Sequence, residues 1–148
     1  SLCAVSDYAR IHLDRRLNWG EDKDLAVKQI EEIVNDMDAK IELLNYNEPA
    51  YTGLKYEMEK YYPTWKLEEE HPLVQKGIEV YKDLYGKTPV VDKWTFSTNG
   101  VTICGYFDIP VIGFGPGNEV LAHAPNEKVP INDLVKASAF YTNFMIKY

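Results

Sequence analysis

The sequence predicts an α/β fold, and three observations support this class. Residues 8–17 alternate between apolar and polar side chains, which is typical of a half-buried strand. Three other stretches repeat apolar residues at spacings of three and four, as amphipathic helices do. The run 109–117 is apolar and ends in closely spaced glycines, which is typical of a short buried strand followed by a glycine loop.

The first third of the chain follows a strand, helix, strand pattern. Apolar side chains at alternate positions would share one side of the first strand, which Asn18-Trp19-Gly20 ends. Acidic residues at 21, 22 and 24 then predict a helix start, because negative charge is favourable at that end of the helix dipole. A second strand is predicted at about 40–44. These elements would form half of a ferredoxin-like sandwich, whose partner elements would lie upstream.

The rest of the chain contains two predicted helices. Residues 45–70 sustain neither period and are rich in tyrosine, which indicates a connector or a partner-contacting surface. Pro72 in a first turn and Gly86 as a left-handed stop bound the next helix. The last helix is predicted from about Asn132. Short strands are predicted between these helices, at 94–96, into Ile103, and within 109–117.

Composition excludes several classes of partner. The 148 residues carry a formal net charge of -7, so neither nucleic acid nor an anionic membrane would attract the chain. No apolar run spans a bilayer and no secretory leader is present, which predicts a cytoplasmic protein. Cys3 and Cys104 lie far apart within apolar stretches, which favours buried reduced thiols over a disulfide. The chain starts without Met and enters a strand pattern almost at once, which suggests a cut start.

Three glycines, Gly113, Gly115 and Gly117, suggest a nucleotide loop at first sight. A dinucleotide fingerprint opens directly into a helix, whereas residues 118–129 have no helical pattern, and no Gly-Lys-Ser or Gly-Lys-Thr occurs. Two interpretations stay open. The glycines either let the backbone approach a ligand or neighbouring strand closely, or they form a tight turn without a ligand.

His123 is the one candidate metal ligand. It lies in a loop between Ala122 and Ala124, where small neighbours leave the imidazole accessible to a metal. On the residues alone, a hydrogen-bonded loop histidine is the commoner case. A catalytic zinc takes about three protein ligands, and His12 and His71 are predicted on a strand face and at a helix start. Glu127 would either orient the imidazole or be a solvated loop acid.

Three ordered motifs carry a family resemblance. They are Trp-Thr-Phe-Ser-Thr-Asn-Gly at 94–100, Ile-Pro-Val-Ile-Gly-Phe-Gly-Pro-Gly at 109–117, and Ala-His-Ala-Pro-Asn-Glu at 122–127. Together they resemble the C-terminal signature of the acetylornithine deacetylase, succinyl-diaminopimelate desuccinylase and glutamate carboxypeptidase family. Upstream motifs at 1–5, 13–17, 63–65 and 71–74 most closely resemble the hydrolase branch associated with selenium-dependent purine metabolism in bacteria.

The resemblance implies a zinc-peptidase-like α/β catalytic domain with an inserted ferredoxin-like lid that commonly mediates dimerisation. Residues 1–47 would then be the second half of the lid, 48–70 a connector, and 71–148 the C-terminal part of the catalytic domain. In the family, two zinc ions share a bridging carboxylate and a water. A glutamate acts as general base, and an amide bond next to a carboxylate is hydrolysed. The implied partners are a small peptide or N-acyl amino acid substrate and a second copy of the protein.

The resemblance also assigns roles by position. His123 matches the last metal ligand. The predicted substrate-binding residues are Ser97, Thr98 and Asn99, near the substrate carboxylate, with the backbones of Gly115 and Gly117. Asn99 stands where many relatives have aspartate, and the selenium-associated branch tolerates asparagine there. Residues 14–16 match a lid strand with a structural role.

Nothing in the chain matches the other zinc ligands, the bridging aspartate or the general base. The chain would therefore supply at most one zinc ligand and no catalytic residue, and it is expected to be inactive alone. Three hypotheses follow. The first is a C-terminal fragment of a metal-dependent amide hydrolase, and the second is a non-enzymatic dimerisation module derived from the same scaffold. The third, a free-standing metal-binding fold, is least favoured because a single ligand holds zinc weakly.

Overall fold

A computed structural model describes residues 4–94 and 96–148, so the predictions that involve Cys3, Thr95 and the motif at 1–3 fall outside the described residues. The chain divides into two compact units, Ser1–Tyr61 and Tyr62–Tyr148. The division falls inside the predicted connector, and the predicted domain limits stay predictions. Mixed helix and strand confirm the coarse fold class, whereas the ferredoxin-like lid is not confirmed. The elements are α1 Lys23–Ile33, β1 Asn45–Tyr46, β2 Met58–Glu59, α2 Pro72–Tyr85, a π-helix Val101–Tyr106, a 3-10 helix Glu119–Leu121, and α3 Ile131–Lys147.

The first helix, α1, begins where the acidic cluster predicted it. Asp22 is its N-cap, and the Asp22 carboxylate accepts a hydrogen bond from the Leu25 N–H at 2.8 Å. Glu21 accepts from the Asn18 backbone N–H at 2.7 Å and from Arg15 at 2.8 Å. These two bonds favour the carboxylate and lower the pKa of Glu21. Arg15 also donates to Gln29 at 2.6 Å, so that it ties the preceding segment to α1.

The predicted strand at 8–17 is wrong in this structure. Its residues have no regular secondary structure and form no ladder with any other part of the chain that the structure describes. The apolar side chains of the pattern stay in solvent, with Ile11 82% and Leu13 65% exposed. Alternation specifies which face of a strand would be buried, but a strand also needs a neighbour that accepts and donates its backbone hydrogen bonds.

The second predicted strand, at 40–44, is also misplaced. The paired residues come directly after it, where Asn45 faces Glu59 and Tyr46 faces Met58 in an antiparallel hairpin. The Lys60 N–H donates to the Leu44 carbonyl at 2.7 Å, which extends the pairing by one bond. The hairpin therefore forms from residues that the sequence assigned to a connector.

The second unit is built on two packed helices, both of which confirm the sequence prediction. His71 caps α2, Pro72 occupies its first turn, and Gly86 ends it in the left-handed region at φ 67°. Among the described residues, the buried hydrophobic side chains lie on these two helices: Leu73, Val74, Ile78 and Val80 on α2, and Ala137 and Phe140 on α3. The Tyr85 hydroxyl donates to the Lys136 carbonyl at 2.7 Å and fixes the end of α2 against α3.

The strands predicted into Ile103 and within 109–117 are wrong. Val101–Tyr106 is a π-helix, and the Phe107 N–H donates to the Thr102 carbonyl at 3.2 Å, five residues earlier, as this helix type requires. Residues 109–117 form no strand, and two of their apolar side chains pack on the helices instead of within a sheet. Ile112 contacts Gly77 of α2, and the Phe114 ring stacks on Phe140 of α3 with centroids 3.9 Å apart. The 94–96 strand includes Thr95 and lies partly outside the described residues.

Candidate functional site

The 97–99 loop precedes the π-helix and is bonded to its first turn. The Thr98 hydroxyl accepts from the Gly100 N–H at 3.1 Å, and the Thr98 carbonyl accepts from the Val101 N–H at 3.1 Å. Ser97 and Asn99 are exposed, whereas Thr98 is half-buried. The backbone carbonyls of Thr98 and Asn99 are already bonded within the turn. The groups that the loop offers to a ligand are therefore its side chains. A π-helix next to such a loop is notable, since these turns frequently occur at functional sites.

The three glycines of the 109–117 run have three different surroundings. Gly113 lies under the indole of Trp94, where an added Cβ would come within 2.4 Å of the ring. Gly117 has φ 93°, a left-handed conformation that favours glycine, and packs against Val129. Gly115 is the one with open space, since an added Cβ would meet nothing within 4 Å. Only Gly115 therefore leaves room for a ligand to approach the backbone directly.

His123 occupies an exposed turn between the 3-10 helix and α3. Its φ of 60° is left-handed, which is uncommon for a residue with a side chain, although histidine is among those enriched there. The Glu127 carboxylate accepts from the backbone N–H of His123 at 3.2 Å, and the Glu127 N–H donates to the Ala124 carbonyl at 3.2 Å. Glu127 thus closes the turn through the backbone of His123. An orienting contact from Glu127 to the imidazole stays a prediction.

A shallow hollow of about 240 Å³ lies beside the glycine turn. Gly117, Leu121, Val129 and Pro130 give it a largely apolar lining. His123 follows Leu121 by two residues but does not line this hollow, and its side chain is exposed instead of packed inward. The structure therefore leaves the imidazole available from solvent.

His123 stays a predicted metal ligand, and the described residues do not bring a complete set of ligands together around it. Within residues 4–94 and 96–148, no group of three or more His, Cys, Asp or Glu side chains is placed to hold a metal ion. His71 is occupied otherwise, because its Nδ1 accepts from the Leu73 N–H at 3.1 Å as the cap of α2. Since a catalytic zinc takes about three protein ligands, a full site needs groups other than these.

The thiol of Cys104 is half-buried on the π-helix, and no disulfide involves it. Burial, together with the nearby Asp108 carboxylate, raises the pKa of this thiol. A raised pKa disfavours the thiolate that a nucleophile or metal ligand would need. Cys104 is thus only partly buried, whereas the sequence predicted a buried thiol; its reduced state stays a prediction, and Cys3 lies outside the described residues.

Sequence reasoning missed two tryptophans that lie next to the predicted site. Trp65 packs on Gly100, where an added Cβ would lie 2.4 Å from the ring, and Trp94 packs on Gly113 in the same way. Trp94 also stacks on Phe96, with ring centroids 5.5 Å apart. The signal in the sequence was the pair of glycines at 100 and 113. Neither has a left-handed backbone, and a glycine of this kind is typical of close packing against the main chain.

Comparison with known proteins identifies the class of this scaffold. The family profile of "Peptidase family M20/M25/M40" matches residues 5–147. The chain therefore belongs to this peptidase family, whose members are typically metal-dependent hydrolases, and the resemblance noted in the sequence is confirmed. None of the helices in the described part of the chain is long and apolar enough to cross a bilayer.

Two kinds of relative are similar to the chain. "Uncharacterized protein YgeY" of Escherichia coli strain K12 is 51% identical over 143 residues, which cover 95% of this chain and 36% of the relative. The "N-formyl-4-amino-5-aminomethyl-2-methylpyrimidine deformylase" of Bacillus subtilis strain 168 is 24% identical over 150 residues, which cover 97% of this chain and 34% of that enzyme. The chain thus spans about a third of the length of these curated relatives. No solved structure matches it.

Proposed function

We propose that the chain is the C-terminal portion of a zinc-dependent amide hydrolase that cleaves an amide bond next to a carboxylate. The family supports a metal-dependent hydrolase scaffold, and one relative is named as a deformylase, which removes an acyl group from nitrogen. In this proposal His123 is one zinc ligand of the complete protein, and the other ligands and the general base come from polypeptide beyond these residues. A cytoplasmic location belongs to the same proposal.

The conformation of His123 is the observation that carries the proposal. A left-handed histidine costs backbone energy, on the order of 1–3 kcal/mol, and such residues cluster at functional sites. The Glu127 carboxylate stabilises this conformation by accepting the His123 N–H at 3.2 Å. The turn therefore fixes the backbone position from which the exposed imidazole projects. Ser97 and Asn99 add exposed polar groups suited to a substrate carboxylate.

The isolated chain of 148 residues is expected to hydrolyse no N-acyl amino acid or dipeptide, even with zinc added. One imidazole leaves a metal-bound water without its other ligands and without a general base. Release of free amino acid from N-acetyl amino acids would be measured for the purified chain and for the full-length gene product that carries it. Turnover by the chain alone would show that it already contains a complete active site. A full-length protein without turnover would contradict the hydrolase proposal.

A second candidate function, dimerisation, is favoured by the hairpin of the first unit. Its loop and strands expose an apolar and aromatic surface, with Tyr51 fully exposed and Tyr56 73% exposed, together with Tyr46 and Leu54. Aromatic residues at this density are enriched in protein interfaces. We propose that this surface contacts a second copy of the chain, whether or not the complete protein is an enzyme.

The dimer is expected to dissociate at least about ten times more readily when Tyr51 and Tyr56 are both replaced by serine, because truncating one aromatic anchor commonly costs more than 1 kcal/mol. Analytical ultracentrifugation over a range of concentrations measures the dissociation constant. Tyr8→Ser is the matched control, since Tyr8 is 67% exposed but lies outside the hairpin. A parent chain that stays monomeric at high concentration would contradict the proposed dimerisation.

A further inference from the structure

Two tryptophans contact glycine backbones on both sides of the 97–99 loop. An added Cβ on Gly100 would lie 2.4 Å from Cζ2 and 2.7 Å from Cε2 of Trp65. On Gly113 it would lie 2.4 Å from Cη2 and 2.6 Å from Cζ3 of Trp94. No side chain fits at either glycine without moving the ring. Each indole is therefore packed directly against the main chain.

These contacts lie close to both ends of the loop in sequence. Trp94 precedes the loop by three residues, and Gly100 follows Asn99 directly. The segment that carries Trp65 makes a second contact, because Pro63 Cγ lies 2.9 Å from the position of an added Cβ on Gly105 in the π-helix. Trp94, three residues before the loop, thus contacts the 109–117 run, and Gly100, directly after the loop, contacts Trp65.

We propose that Trp65 and Trp94 are positioning residues that fix the 97–99 loop for binding the substrate carboxylate, an inference that rests on the proposed function. The loop offers neutral donors: the Ser97 and Thr98 hydroxyls and the Asn99 amide. The Thr98 hydroxyl accepts from the Gly100 N–H at 3.1 Å, so its own hydrogen is left to donate elsewhere. Uncharged donors bind a carboxylate well only when they are ordered before the ligand arrives, since ordering them on binding weakens affinity.

The first test measures loop order in the isolated chain by hydrogen exchange. Trp65→Leu is expected to speed amide exchange at residues 100–103 by about 10-fold or more, because the ring that covers Gly100 is lost. Trp65→Phe keeps a flat ring there and is expected to stay within about 3-fold of the parent. Trp19→Leu, in the first unit, is the matched control. Unchanged exchange in Trp65→Leu, with the helices intact by circular dichroism, overturns the proposal.

The second test measures substrate binding in the full-length gene product. Trp65→Leu is expected to raise KM for an N-acetyl amino acid about 10-fold, with kcat within about 3-fold, and Trp65→Phe to restore KM. For the matching substrate with a carboxamide in place of the carboxylate, KM is expected to stay the same. Equal losses on both substrates would indicate general damage and overturn the positioning role. A parent protein inactive on all such amides would instead overturn the proposed function, while the exchange result still decides whether Trp65 orders the loop.

Discussion

Replacing Phe140 by alanine is expected to lower the free energy of unfolding of the second unit by about 3–5 kcal/mol, the usual range for removing a buried phenylalanine. Phe140 is 4% exposed, and its ring stacks on Phe114 and on Phe144 with centroids 3.9 Å and 5.9 Å away. Phe140 therefore joins α3 to residues 109–117, which carry the three glycines. Since a domain is stabilised by only about 5–15 kcal/mol in total, a large part of that stability would be lost.

Urea unfolding followed by circular dichroism measures this change as a shift in midpoint at constant slope. Met145→Ala is the matched control on the same helix, because Met145 is 74% exposed and its loss should change stability by less than about 0.5 kcal/mol. Phe140→Leu retains most of the apolar volume and is expected to fall between the two. A Phe140→Ala chain as stable as the control would show that the contact between α2, α3 and the glycine run does not form the core of this unit.

The helices were predictable because their signals are local. The acidic cluster at 21, 22 and 24, the proline at 72 and the glycine at 86 each act within one turn, and each lies at the helix end that the sequence predicted. The apolar spacing that predicted α3 lies entirely within that helix. Local signals of this kind give the position of a helix but not what covers it.

The strands were not predictable in the same way, because a strand depends on a neighbour far away in sequence. Ile11 and Leu13 alternate correctly and yet remain 82% and 65% exposed, with no pairing partner among the described residues. The run at 109–117 has the composition of a buried strand, but Ile112 and Phe114 are only half-buried, and they pack against Gly77 of α2 and Phe140 of α3 instead of within a sheet. Composition predicted burial there and could not distinguish a sheet from a helix pair.

The candidate site shows the same division. The sequence singled out His123 and paired Glu127 with its imidazole, whereas the structure adds the left-handed backbone of His123 and bonds Glu127 to its backbone N–H. The glycines looked equivalent by spacing, but one contacts a ring, one makes a turn and one faces open space. Those differences come from Trp94 and Val129, which lie 19 and 12 residues from their glycine partners, respectively.

Substituting His123 in the full-length gene product is expected to lower kcat/KM for an N-acetyl amino acid by at least about 100-fold. Losing a residue that merely supports a metal ligand commonly costs 10- to 100-fold, and losing the ligand itself should cost more. His123→Asn is the informative change, because asparagine tolerates the left-handed backbone at φ 60° and removes only the imidazole. Zinc content by mass spectrometry should fall with activity. His12→Asn is the control, since His12 is an exposed histidine of the first unit.

Two substitutions at Glu127 distinguish between two ways in which its carboxylate could support His123. If its carboxylate acts through the backbone N–H of His123, which it accepts at 3.2 Å, Glu127→Gln keeps an oxygen acceptor and should retain activity within about 3-fold. Glu127→Ala removes the acceptor and should cost about 10-fold or more. If the carboxylate instead holds the imidazole through its charge, glutamine should be nearly as damaging as alanine. Full activity and full zinc content in both His123→Asn and Glu127→Ala would show that this turn is no part of the metal site, because no group that holds or supports the zinc would then have been lost.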